Sequence, residues 1–171
     1  MRLLNFGTTL LLCCLACLLA LHMLGYPFAG IDDANIYLVY ARNFAEGHGF
    51  VYNIGGERVE GFTSLLWTLI ASLVFHFTSQ PEIPLIILSV LLVSAGIAYA
   101  PGFLQPGLLG AGTVWQFWPV VFQLLVFTSP RYVVWNTITL MENALWSTLL
   151  TVAAIYVTGT QDPAHKVQFK F

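Results

Sequence analysis

Five apolar runs, at 3–25, 62–78, 85–100, 114–128 and 137–157, fill more than half of the chain, and Glu142 is the one charged residue inside them. A helix of about 20 apolar residues crosses a bilayer because it satisfies every backbone polar group without water. The rest of the composition agrees. Charged residues make up 8% of the sequence and mean hydropathy is +0.79, whereas soluble domains carry about 25% charge. The chain therefore reads as an all-α integral membrane protein with four to five transmembrane helices. Its 171 residues leave no room for a separate soluble catalytic domain. The runs at 62–78, 85–100 and 114–128 are short, near or below the ~17-residue limit for a span.

Charge and cysteines exclude two classes. A net charge of −2 without Lys/Arg clusters argues against a nucleic-acid partner. Cys13, Cys14 and Cys17 all lie in the first apolar run, where cysteine is apolar filler rather than part of a disulfide framework. That run follows Arg2, exceeds the usual signal-peptide core and has no small-x-small cleavage site after it. It reads as an uncleaved signal-anchor helix.

Seven of the 14 charges fall between 26 and 61: Asp32, Asp33, Arg42, Glu46, Glu57, Arg58 and Glu60. Function concentrates in such a loop. Asp33 is placed to N-cap a helix over 34–46, which Gly47 would end. Ile36, Tyr37, Tyr40, Ala41 and Phe44 make an apolar stripe on it, with Asn35, Arg42 and Glu46 elsewhere. This pattern predicts an amphipathic juxtamembrane helix lying in the interface. Asp32 and Asp33 then stand at the membrane surface, as a general base, as oxygen ligands to a divalent cation, or as a cap and a solvated neighbour. Arg42, His48 and Arg58 are candidate anion contacts. Gly47, Gly49, Gly55 and Gly56 would allow close backbone approach, and snorkelling to headgroups is the other reading of the arginines. Glu142, costly beside an apolar helix, calls for a partner or a polar cavity, Arg131 being one possible partner. Trp67, Trp115, Trp118 and Trp135 read most simply as interfacial anchors.

Between Asp32 and Trp67 these residues form one continuous pattern: Asp32-Asp33-Ala34, Ile36-Tyr37, Tyr40-Ala41-Arg42-Asn43, Ala45-Glu46-Gly47-His48-Gly49, Val51-Tyr52-Asn53 and Gly56-Glu57-Arg58-Val59-Glu60-Gly61-Phe62-Thr63-Ser64. The pattern resembles the first extracytoplasmic loop of bacterial GT-C glycosyltransferases. More narrowly, it resembles the group that includes the mycobacterial terminal arabinofuranosyltransferases. Met141-Glu142-Asn143-Ala144-Leu145 is similar to a downstream Gly-(Leu/Met)-Glu-(Thr/Asn) element of that group, with Leu140 in place of its glycine. Asn53-Ile54-Gly55-Gly56-Glu57-Arg58 likewise lacks the proline of the family's Asn-Pro-Gly-Glu-Arg.

The resemblance implies a multi-pass enzyme of the bacterial plasma (inner) membrane. Its donor would be a polyprenyl-phosphate-linked sugar and its acceptor an extracytoplasmic glycan, lipid or protein. It implies that Asp32 or Asp33 is the catalytic base or metal contact and that Glu142 is the second acidic residue. Arg42, His48, Arg58 and Glu60 would bind substrate. A divalent cation is an option, held by Asp32 and Asp33 if anywhere. Family members are several times longer, so the chain, one membrane domain over 1–171, is expected to be part of a larger module or to pair with a second chain. Its parts are the anchor at 3–25, the extracytoplasmic loop at 26–61, the apolar helices at 62–157 and a polar tail at 158–171. The competing reading is a non-catalytic or truncated membrane subunit that keeps only the donor-side loop. Five crossings would put Glu142 on the membrane face opposite the aspartates. Four would bring them together, with 62–78 lying along or re-entering the interface. Four is preferred.

Overall fold

The structure, a computed structural model, describes residues 2–24, 33–57, 59, 61–103 and 117–160. Seven α-helices and one 3-10 turn account for its regular structure, and among the described residues there is no strand. Helix α1 is Arg2–Leu24 and α2 is Ala34–Ala45. Helices α3, Leu65–Phe75, and α4, Glu82–Tyr99, follow. The 3-10 turn Ala100–Phe103 comes next, then α5, Trp118–Phe127. Helices α6, Pro130–Ile138, and α7, Asn143–Thr160, end the described chain.

Two helices, Leu3–Leu24 within α1 and all of α4, are long and apolar enough to cross a bilayer. The 23 residues of α1 rise about 34 Å at 1.5 Å each, against a hydrocarbon core of about 30 Å. A third span results if α6 and α7, bent by 110° at their break, are taken together. Helices α3 and α5, with 11 and 10 residues, reach about half that depth. By length and composition the described residues thus supply two or three spans of the expected four to five.

Helix α4 is the hub. Leu85, Ser89, Val93 and Ser94 bury its inner faces, and α1, α6 and α7 pack around it. The small residues Thr9, Cys13, Cys17 and Ala20 of α1 are buried, while Leu11, Leu15, Leu18 and Leu19 are exposed. That is the arrangement of a membrane helix, small residues toward protein and leucines toward lipid. Helices α1 and α4 run antiparallel: Asn5 Nδ2 donates to the Ala98 carbonyl at 3.0 Å, and Phe6 stacks on Tyr99. Gln123 of α5 donates to Thr9 Oγ1 at 2.7 Å and to Asn5 Oδ1. A buried polar knot therefore ties α5 to the N-terminal end of α1. Near the other end of α1, the Thr137 hydroxyl of α6 lies beside the Cys17 thiol.

Two apolar runs fold otherwise than their composition suggests. The run at 62–78 is helical only over Leu65–Phe75. The run at 137–157 is no single helix, because α6 ends at Ile138 and α7 begins at Asn143. Between them Leu140 takes φ +60°, a left-handed conformation that interrupts a right-handed helix.

Candidate functional site

Helix α2 starts where the cap residue predicts, but not by side-chain capping. Asp33 occupies the N-cap position with no side-chain cap bond and is exposed. Its backbone carbonyl instead accepts the N–H groups of Ile36 at 3.0 Å and Tyr37 at 3.2 Å. The C-terminal stop is as expected, with Gly47 at φ +86°. Along the apolar stripe Tyr37, Tyr40 and Ala41 are buried, whereas Asn35, Arg42 and Glu46 are exposed.

The loop after α2 folds back along it. Asn43 Nδ2 donates to the carbonyls of Val51 at 2.8 Å and Tyr52 at 3.0 Å. The Tyr40 hydroxyl donates to the Val59 carbonyl, and Phe62 packs edge-on to Tyr40. Gly61 leaves room for this return, since a Cβ there would press on Tyr40 Oη at 3.0 Å. The loop leads into α3, which lies on α2 and runs in the same direction. Tyr37 and Thr63 meet at the starts of the two helices, and Arg42, Phe75 and His76 line one cleft near their ends.

The α6–α7 break is fastened onto this helix pair. Trp67 Nε1 donates to the Leu140 carbonyl at 2.9 Å, satisfying a backbone acceptor that the broken helix leaves free. Trp67 is fully buried, so it is an internal strut and not the interfacial anchor its residue type suggests. Two residues on, Glu142 Oε1 accepts the Tyr37 hydroxyl at 2.9 Å. Thr63 Oγ1 lies 2.6 Å from Tyr37 Oη. Tyr37 has one O–H, and it goes to the carboxylate, so Thr63 is the donor to Tyr37. The chain Thr63 to Tyr37 to Glu142 is thereby directed. Burial pushes the Tyr37 hydroxyl above its ordinary pKa and the bond to Glu142 adds to this, against an opposing bond from Thr63. Tyr37 therefore stays a donor. Glu142 Oε2 is sealed from solvent and has no hydrogen-bond partner. A buried oxygen without a partner is costly, and such a group is placed to accept a donor hydroxyl.

Glu142 is thus brought to the polar loop, beside Tyr37, which follows Asp33 by one helical turn. Its partner is Tyr37; among the described residues Arg131 makes no ion pair with it. Arg42 lies elsewhere, in the cleft with Ala45, Glu46, Phe75, His76 and Ser79. His48 is exposed, 3.9 Å from Glu46. Asp32, Arg58 and Glu60 lie outside the described residues. Among the described residues no three His, Cys, Asp or Glu side chains gather as metal ligands. Gly47, Gly49 and Gly55 all have positive φ, so they serve the turns of the loop, and Gly56 packs against Asn53.

Charge alone did not find Tyr37, Thr63 and Trp67, because a tyrosine in an apolar stripe reads as core and a tryptophan near a membrane reads as an anchor. The signal was their place in the Asp32–Trp67 pattern. No family model, no curated protein and no solved structure matches the chain.

Proposed function

We propose that this chain is the N-terminal membrane part of a GT-C-type glycosyltransferase. It would move a sugar from a polyprenyl-phosphate donor to an acceptor outside a bacterial plasma membrane. The observation that carries the reading is one of convergence. The two separate segments that resemble that family, 32–67 and 140–143, fold onto each other through Tyr37, Thr63 and Trp67. The one departure at the second segment points the same way. Leu140 stands where the family has glycine, and its φ of +60° is the conformation that favours glycine.

In this reading the acceptor hydroxyl attacks the anomeric carbon. The bond from that carbon to the phosphate oxygen breaks, and the prenyl phosphate leaves with the electron pair. The hydroxyl proton passes to a carboxylate of the Asp32, Asp33 and Glu142 set. Glu142 is favoured for this step: Tyr37 fixes one of its oxygens and the other has no hydrogen-bond partner, so it can take the proton once the acceptor hydroxyl reaches it. Arg58, near in sequence to Thr63, is the candidate for stabilising the leaving phosphate. A divalent cation at Asp32 and Asp33 would assist the same charge.

The reading includes four crossings, α1, α4, α5 with α6, and α7, with α2 and α3 on the outer face. A deletion strain should lose a surface sugar. The wild-type gene should restore it, Glu142→Gln should not, and Asp33→Asn should do so partially. Full rescue by Glu142→Gln and by the Asp32→Asn, Asp33→Asn double variant would end the carboxylate mechanism.

A further inference from the structure

The cleft at the C-terminal ends of α2 and α3 has no part in the Glu142 arrangement. It holds about 280 Å³ and is lined by Arg42, Ala45, Glu46, Phe75, His76 and Ser79. That is room for roughly nine waters at ~30 Å³ each, enough for a phosphate and the first atoms esterified to it. Among the described residues the Arg42 guanidinium has no ion-pair partner, while Glu46 pairs with His48 at 3.9 Å. One wall therefore offers a planar cation with no ion-pair partner among the described residues, a shape that matches two phosphate oxygens at once. His76 and the Ser79 hydroxyl add donors nearby. Phe75 and Ala45 make the remaining wall apolar. Just outside, Leu73 and Phe77 are 59% and 83% exposed, so an apolar surface leads away from the cationic one.

We infer that this cleft binds a phosphate group, carried by an amphiphilic lipid or free in solution. Arg42 and His76 hold the oxygens, Ser79 donates to them, and the exposed face of α3 receives any attached chain. The inference shares Arg42 with the substrate set of the glycosyltransferase reading but uses none of the Glu142 contacts, so binding at this cleft can fail or hold independently of sugar transfer.

The test uses the full chain purified in uncharged detergent. Three probes are titrated separately and bound molecules counted by native mass spectrometry: phosphatidic acid, phosphatidylcholine and inorganic phosphate. Phosphatidic acid should bind more tightly than phosphatidylcholine. Arg42→Gln should weaken it about tenfold, the effect of losing a charge-assisted pair. His76→Gln should weaken it less, and Glu46→Gln, which removes a repelling carboxylate, should strengthen it. Arg131→Gln, an exposed arginine at the start of α6, serves as the charge control. Arg42-dependent binding of phosphatidic acid alone makes the ligand a lipid, and equal Arg42-dependent binding of inorganic phosphate makes it the free anion. Binding of neither probe overturns the inference. So does binding indifferent to Arg42→Gln with the helical spectrum intact, or equal weakening by Arg131→Gln.

Discussion

Leu140 carries a conflict that a single pair of substitutions can expose. Its side chain is 2% exposed, so it belongs to the core, yet its φ is +60°. Left-handed backbone costs a residue with a Cβ about 1–2 kcal/mol. Removing the buried side chain costs about 2–5 kcal/mol, and this loss is common to Ala and Gly. Only Gly also relieves the backbone. Leu140→Gly should therefore be more stable than Leu140→Ala by about 1 kcal/mol, reversing the usual order. Unfolding in mixed micelles would measure it; Ala equal to or above Gly would mean that the turn is not left-handed in solution. At this scale the sequence was unevenly legible. Glu142 stood out as the one charge in an apolar run, and its need for a partner followed from its cost. That the partner is Tyr37 was not legible, since periodicity assigns tyrosine to a core face without saying which hydroxyl acceptor waits there. Nor was the backbone of Leu140, an apolar residue amid apolar residues.

The α2–α3 pair and its connecting loop depend on a residue that is polar and wholly internal. Asn43 is 3% exposed and uses both amide hydrogens, on Val51 and Tyr52. Asn43→Ala leaves two carbonyls short of donors and should cost about 1–3 kcal/mol. Asn43→Asp should cost more, because a carboxylate cannot donate and would face those carbonyls with like charge. Both variants should speed proteolysis within 46–57, which the Asn43 bonds hold against α2. Wild-type cleavage rates in Asn43→Asp would show that this loop does not depend on Asn43. Helix α2 itself was legible almost to the residue, because a cap position, a 3–4 stripe and a stop glycine all agreed. The break at 139–142 was not. Hydropathy cannot distinguish one long apolar helix from two short ones fixed at an angle by a distant tryptophan.

The whole molecule turns on which short helices combine into crossings, and the internal contacts carry that argument further than helix length does. Asn5 meets Ala98, so α4 runs opposite to α1 and starts on the side where α1 ends. The chain between them, α2 and α3, therefore makes no net crossing. Gln123 of α5 meets Asn5 and Thr9, near one end of α1. Thr137 of α6 lies beside Cys17, nearer the other. Helices α5 and α6 thus climb together along α1, each too short alone, and deliver Glu142 to the side of Tyr37. Helix α7 then returns along α4, where Thr148 Oγ1 donates to the Leu92 carbonyl at 2.8 Å. In the proposed four-crossing arrangement 2 and 160 would share one face, with α2 and α3 on the other. With Cys13, Cys14 and Cys17 replaced by Ser, single cysteines at Asn53 and Thr160 should behave oppositely in intact cells. The Asn53→Cys variant should react with a membrane-impermeant maleimide, and Thr160→Cys should react only after lysis. Reaction of both from outside would require a fifth crossing, and would place the aspartates and Glu142 on opposite faces despite the Tyr37 contact.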